Sequence, residues 1–109
     1  MLEVREYTRA DGASPFRLWF LALDSRAKGH VDEAVLRMGL GNLGDHKSVG
    51  GGVIERRINR GPGYRIYFGR DGARLVVLLG GSTKRRQSQA IRAAQALWAE
   101  YRQRRRRGE

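Results

Sequence analysis

Glu55, Arg57, Arg65 and Tyr67 are the side chains best spaced to act together. Successive side chains of a strand point to opposite faces. Over residues 53–58, Ile54 and Ile58 fall on one face, and Val53, Glu55 and Arg57 fall on the other. Over residues 64–68, Tyr64, Ile66 and Phe68 share a face, and Arg65 and Tyr67 share the opposite one. If the two runs pair as a hairpin through Arg60-Gly61-Pro62-Gly63, the four polar groups gather on the side away from the apolar residues. The guanidinium fork matches phosphate, so phosphate binding is the chemistry such a face suits. A basic loop, Lys84-Arg85-Arg86, follows the next apolar run. Short loops held by a rigid sheet are a common seat of function.

Several elements must position these groups. Leu75 to Leu79 is an unbroken apolar run, as in a strand covered on both faces, and Asp71-Gly72 before it is a hairpin signal. Residues 52–80 therefore read as a three-stranded antiparallel meander. Residues 2–8 alternate and form a first strand. Ser14-Pro15 is an N-cap with proline at the first helical position, and Phe16, Trp19, Phe20 and Leu23 recur at helical spacing. Ala27, Val31, Val35 and Met38 mark a second helix from Ser25 to about Leu40. Residues 39–52 hold six glycines and read as a loop carrying His46 and Lys47. A final helix starts near Ser88, with Ile91, Ala94, Trp98 and Tyr101 on one face and Leu97 at its border. Residues 102–109 read as a basic tail without apolar periodicity.

The chain has 109 residues, the size of one domain. It has no cysteine, hence no disulfide and no thiolate metal site. The charged N-terminus is unlike a signal peptide and no apolar run spans a bilayer, so a soluble, cytoplasmic protein with no membrane partner is expected. The glycine-rich stretch lacks the preceding strand and the Gly-Lys-Ser/Thr of a phosphate loop, so nucleotide binding is rejected there. Net charge is +11, and 19 of the 22 basic residues are Arg. Without residues 102–109, 17 basic and 10 acidic residues remain, a net of +7. The domain body is basic as well as the tail, which points to nucleic acid or an acidic protein.

With these residues in this order the chain resembles the RelE/ParE superfamily of bacterial toxins from type II toxin–antitoxin modules, nearest the addiction-module killer branch. The resemblance rests on Gly41-Asn42-Leu43-Gly44-Asp45, on Gly52 to Ile58, on Gly61-Pro62-Gly63-Tyr64-Arg65-Ile66-Tyr67-Phe68, and on Leu78 to Lys84 with Gln87 and Gln89. It covers nearly the whole chain. It implies an α+β, RelE-like fold: an N-terminal strand, a two-helix hairpin, a meander completing a four-stranded sheet, and a C-terminal helix. It also implies a toxin that cuts mRNA on the ribosome without metal or cofactor, and a cognate antitoxin, a small DNA-binding protein. A ParE-like inhibitor of DNA gyrase and a module that only binds partners are the alternatives within the same resemblance.

Metal-free RNA cleavage uses the 2′-hydroxyl against the neighbouring phosphate. A base accepts its proton, cations stabilise the phosphorane, and an acid protonates the leaving oxygen. Carried over by position, Arg65 matches the family's strand Arg, Arg57 a basic residue of the preceding strand, and Lys84 the post-strand loop. Where RelE has a second basic residue on that strand this chain has Glu55, and where RelE has a tyrosine in the last helix it has Ala90-Ile91. Glu55 and His46 are the candidate bases, and an ion pair with a neighbouring Arg is an equal reading of Glu55. Lys47, Arg56, Arg60, Tyr67, Arg85, Arg86, Arg104 and Arg105 are the expected RNA contacts.

Overall fold

Ser14 and Asp24 start the first two helices as their types require. The Ser14 hydroxyl accepts from the Arg17 amide at 3.0 Å, and Asp24 Oδ1 accepts from the Ala27 amide at 2.8 Å. The computed structural model describes residues 1–108. In chain order it has β1 (Glu3–Glu6), α1 (Pro15–Leu21), α2 (Ser25–Gly39), β2 (His46–Gly50), β3 (Val53–Ile58), β4 (Tyr64–Asp71) and β5 (Leu75–Thr83). A short 3-10 turn over Lys84–Arg86 then leads into α3 (Gln87–Arg106). The architecture is α+β: one mixed sheet, ordered β1-β5-β4-β3-β2, with helices on both faces. β1 runs parallel to β5, and the other neighbours are antiparallel.

The expected meander is present as β3-β4-β5. One face carries Ile58, Ile66, Phe68, Val76 and Leu78 under Phe16 and Phe20 of α1 and Val31 and Met38 of α2. The other carries Val53, Tyr67, Val77 and Leu79 under Ala94, Leu97 and Trp98 of α3. Alternating β5 residues feed opposite cores, which explains its unbroken apolar run. No helix of the described residues is long and apolar enough to cross a membrane.

Two expectations are corrected. The sheet has five strands, because His46–Gly50, read as loop, pairs antiparallel with β3. Gly50, Gly51 and Gly52 all have positive φ and turn the chain between β2 and β3, which glycine does without strain. The second correction concerns residues 102–106, read as tail: they continue α3. Arg104 donates to the Thr8 carbonyl at 2.8 Å, and Arg105 lies 3.0 Å from Asp71. These contacts, with helix propagation from the packed residues before them, hold the last turns.

The same end of the sheet carries a pH-dependent contact. Burial, and then the Asp71 carboxylate that accepts its proton at 2.5 Å, push the Tyr101 phenol up to about 12. Tyr7 and Tyr67 are raised too, each chiefly by burial. A phenol with a raised folded-state pKa stabilises the fold below its unfolded value, about 10. That contribution is lost as pH rises through the folded value. Unfolding free energy should therefore fall between about pH 10 and 12. Tyr101→Phe, which keeps the ring stacked on Trp98, should make that fall shallower in chemical denaturation across the range. An equally steep decline would show that Tyr101 does not contribute.

Candidate functional site

Antiparallel register sets the polar side chains in rows. Arg57, Arg65 and Ser82 lie opposite one another across β3, β4 and β5, and Lys47, Glu55 and Tyr67 across β2, β3 and β4. Opposed residues share a face, and both rows lie on the α3 side. The helix begins beside them: Gln87 Nε2 donates to Glu55 Oε2 at 2.5 Å.

Glu55 is the hub, with 0% of its surface exposed. Its Oε1 lies 3.8 Å from Arg57 Nε and 3.8 Å from Arg65 Nε. These are ion pairs without hydrogen bonds, and none of the three atoms has another hydrogen-bond partner. Arg65 is 5% exposed, and its Nη1 donates to the Tyr64 carbonyl at 3.2 Å. Tyr67 is fully buried; its hydroxyl and Ser82 Oγ are 3.0 Å apart, and burial raises the phenol's pKa. The expected open polar face is thus corrected. Glu55 and Arg65 form an interior pair beside the first residue of α3, and Tyr67 offers no surface to an RNA. Of the row, Arg57 reaches solvent, with 31% of its side chain exposed.

Cations do collect around that opening. The Lys84 amide donates to the Gly63 carbonyl at 2.9 Å, which joins the 60–63 turn to the loop after β5. Arg60, which lines a concavity with Arg57, and Lys84 are exposed at this end, Lys47 is exposed on the edge strand, and Arg85 and Arg86 are exposed beside Ser88 and Gln89 at the start of α3. Asp45, also exposed, lies 3.7 Å from Arg57 Nη2, and its carbonyl accepts the Arg57 amide at 2.8 Å.

Four further candidates lie elsewhere. His46 is paired in register with Arg56, on the opposite face from Glu55, so it is not beside the Arg57–Arg65 row. Its Nδ1 donates to the Gly44 carbonyl at 2.7 Å. Arg56 is buried on the α2 face, where a side chain on Gly44 would collide with its guanidinium. Burial and the nearby Arg37 charge lower its pKa. Arg104 and Arg105 sit at the far end of α3, about 25 Å from Gln87 at the helical rise per residue. Arg104 and Arg105 are therefore remote from Arg57, whereas Arg56 lines with Arg57 and Arg60 a small concavity against Glu33 and Arg37 of α2.

Ser82, Gln87 and Asp45 were not among the candidates. Ser82 joins the row because β5 bulges between its pairings with Tyr67 and Phe68, which reverses which β5 residues face α3. Residue types alone do not announce such a bulge. Gln87 is three residues from Lys84, at the start of a helix, and that spacing was the available signal.

No family model matches the chain, and no solved structure does. An uncharacterized protein of Haemophilus influenzae is 40% identical over 83 residues, covering 75% of this chain and 84% of that protein.

Proposed function

The chain belongs to one family with that Haemophilus influenzae protein, and we propose that it is a toxin of the RelE/ParE superfamily that cuts mRNA on the ribosome. The observation that carries this reading is the partly exposed Arg57 side chain at the end of the Arg57–Arg65–Ser82 row, beside Arg60 and at the end of the sheet where the Lys84 loop is tied to the 60–63 turn. A phosphate entering there meets Arg57 first. Each preorganised donor aimed at the developing phosphorane is worth about 3–4 kcal/mol of barrier.

Roles follow from exposure. Arg57 stabilises the phosphorane. Asp45, exposed and beside Arg57, is better set than buried Glu55 to take the 2′-hydroxyl proton. Lys84, on the rim, neutralises charge or protonates the leaving 5′ oxygen. Glu55 holds Arg57 and Arg65 in place and does not touch substrate. No metal enters this scheme. A cognate antitoxin would cover the basic rim with an acidic segment.

Primer extension on a defined mRNA with purified ribosomes tests the proposal. Cuts at A-site codons that require both ribosomes and protein support it. Arg57→Ala should reduce cleavage by about 100-fold or more while leaving the far-UV spectrum and unfolding midpoint near wild type. Full activity of that variant would remove Arg57 from the site.

The enclosed Glu55–Arg65 pair favours a second reading, since a buried cation is poorly available to substrate. On it the rim binds a protein such as DNA gyrase and performs no chemistry. Intact mRNA together with inhibited supercoiling would select this reading.

A further inference from the structure

A second basic concavity lies at the opposite end of the sheet. It encloses about 730 Å³ between the β3–β4 backbone and the C-terminal half of α3. Arg70, Arg102, Arg105 and Arg106 line it, with Trp98 and Tyr101 as its apolar wall. Its one acid is Asp71, which is already engaged by Arg105 at 3.0 Å and by the Tyr101 hydroxyl at 2.5 Å. Arg70, Arg102 and Arg106 have no acidic partner among the described residues. Arg70 Nη2 donates to the Ala73 carbonyl at 2.8 Å, but its Nε is buried without any acceptor.

This arrangement is unfavourable for the isolated protein. Arg102 and Arg106 are four residues apart and Arg105 is three from Arg102, so like charges crowd one helix face. The helix dipole offsets part of this, but only for cations in the last turn. It does not account for Arg70, which comes from the opposite face of β4 and lines the concavity where it rounds the end of the sheet. Three guanidinium groups without acidic partners that line one concavity suit an anion with several negative centres.

We propose that this cleft binds the phosphodiester backbone of an RNA strand, as an anchor separate from the Arg57 opening. Phosphates would lie on Arg70, Arg102 and Arg106. With no built pattern of base-reading groups, binding would be insensitive to sequence and sensitive to salt. The inference goes beyond the proposed function and holds whether or not the chain cleaves RNA.

The test is fluorescence anisotropy of a labelled oligouridylate of about 12 nucleotides, long enough for one binding module. The protein is full length and no ribosomes are present. Arg102→Ala with Arg106→Ala should weaken binding roughly tenfold and make the slope of log K against log salt shallower by about 1.4, since each single-strand contact contributes about 0.7. These side chains have no partner to lose, so the unfolding midpoint should hold. Arg26→Ala with Lys28→Ala removes the same charge from α2 and should leave affinity within about twofold if the cleft is the site. Equal losses from both pairs would reduce the effect to net charge and overturn the proposal, as would no loss from the cleft pair. Displacement of the RNA by inorganic phosphate beyond that by chloride at matched ionic strength would indicate a free-phosphate site and also overturn it.

Discussion

Trp98→Ala is expected to lower the unfolding free energy by about 3–5 kcal/mol, among the largest single-residue effects in this chain. Trp98 is 5% exposed and sits where α3 meets the sheet. It stacks on Tyr101 with ring centroids 4.9 Å apart. Its six-membered ring occupies the space above Gly69, where an added Cβ would lie 2.4 Å from ring carbons. Its indole nitrogen passes 2.5 Å from the place of a Cβ on Gly52, whose φ of +81° already favours glycine. Neither glycine can fill the void by a side-chain shift, so truncation leaves a cavity that collapses poorly. At about 4–8 °C of midpoint per kcal/mol for a domain of this size, the shift should exceed about 10 °C. The complementary change, Gly69→Ala, overpacks the same contact and should cost about 1–3 kcal/mol. Urea denaturation followed by far-UV dichroism measures both. A loss below about 1 kcal/mol for Trp98→Ala would mean that α3 is not seated on the sheet through this ring.

Glu55→Ala should destabilise the fold by a comparable amount, about 3–5 kcal/mol, because it leaves the Arg65 charge buried without its counter-ion. Arg57 is solvated enough to tolerate the loss, whereas Arg65, with 6% of its side chain exposed, is not. Desolvation makes the pair itself a weak net stabiliser. Replacing both members by apolar side chains of similar volume should therefore recover most of the loss, and Glu55→Leu with Arg65→Met is the concrete version. A double-mutant cycle from chemical denaturation isolates the coupling. Additive single effects would show that the 3.8 Å contact carries no energy.

This second expectation changes how activity data must be read. Loss of activity in an Arg65→Ala variant would not by itself place Arg65 against substrate, because the same substitution unpairs buried Glu55. Growth arrest or RNA cleavage should be scored beside the unfolding midpoint. Arg57→Ala is the cleaner probe, since that side chain reaches solvent and its partners Asp45 and Glu55 each keep another interaction or water. The two basic ends can likewise be separated experimentally. Arg57 and the 60–63 and 84–86 rim lie near Gln87, whereas Arg102 and Arg106 lie at the other end of the same helix.

Much of the scaffold was legible from residue types. The Ser14-Pro15 cap, the helical stripes and the meander strands all follow from local rules. Each depends on neighbours within one turn or one hairpin. So does the grouping of Glu55, Arg57, Arg65 and Tyr67 on one face, because side-chain parity along a strand is a property of the strand alone. Whether that face was open was not local information. α3 covers Tyr67, and Gln87 at its start reaches Glu55, because Ala94, Leu97 and Trp98 need a sheet surface to bury. A stripe on a helix does not say which face receives it. β2 was invisible for a related reason. Its one half-buried apolar residue, Val49, makes no periodic pattern, and its strand character comes from pairing with β3. The membership of Ser82 in the Arg57 row was decided by a bulge, and the helical state of residues 102–106 by continuation from packed turns and contacts to Thr8 and Asp71. The amino-acid sequence determined which groups share a face; only the packing of distant elements decided which of them meet solvent, and therefore which can meet a substrate.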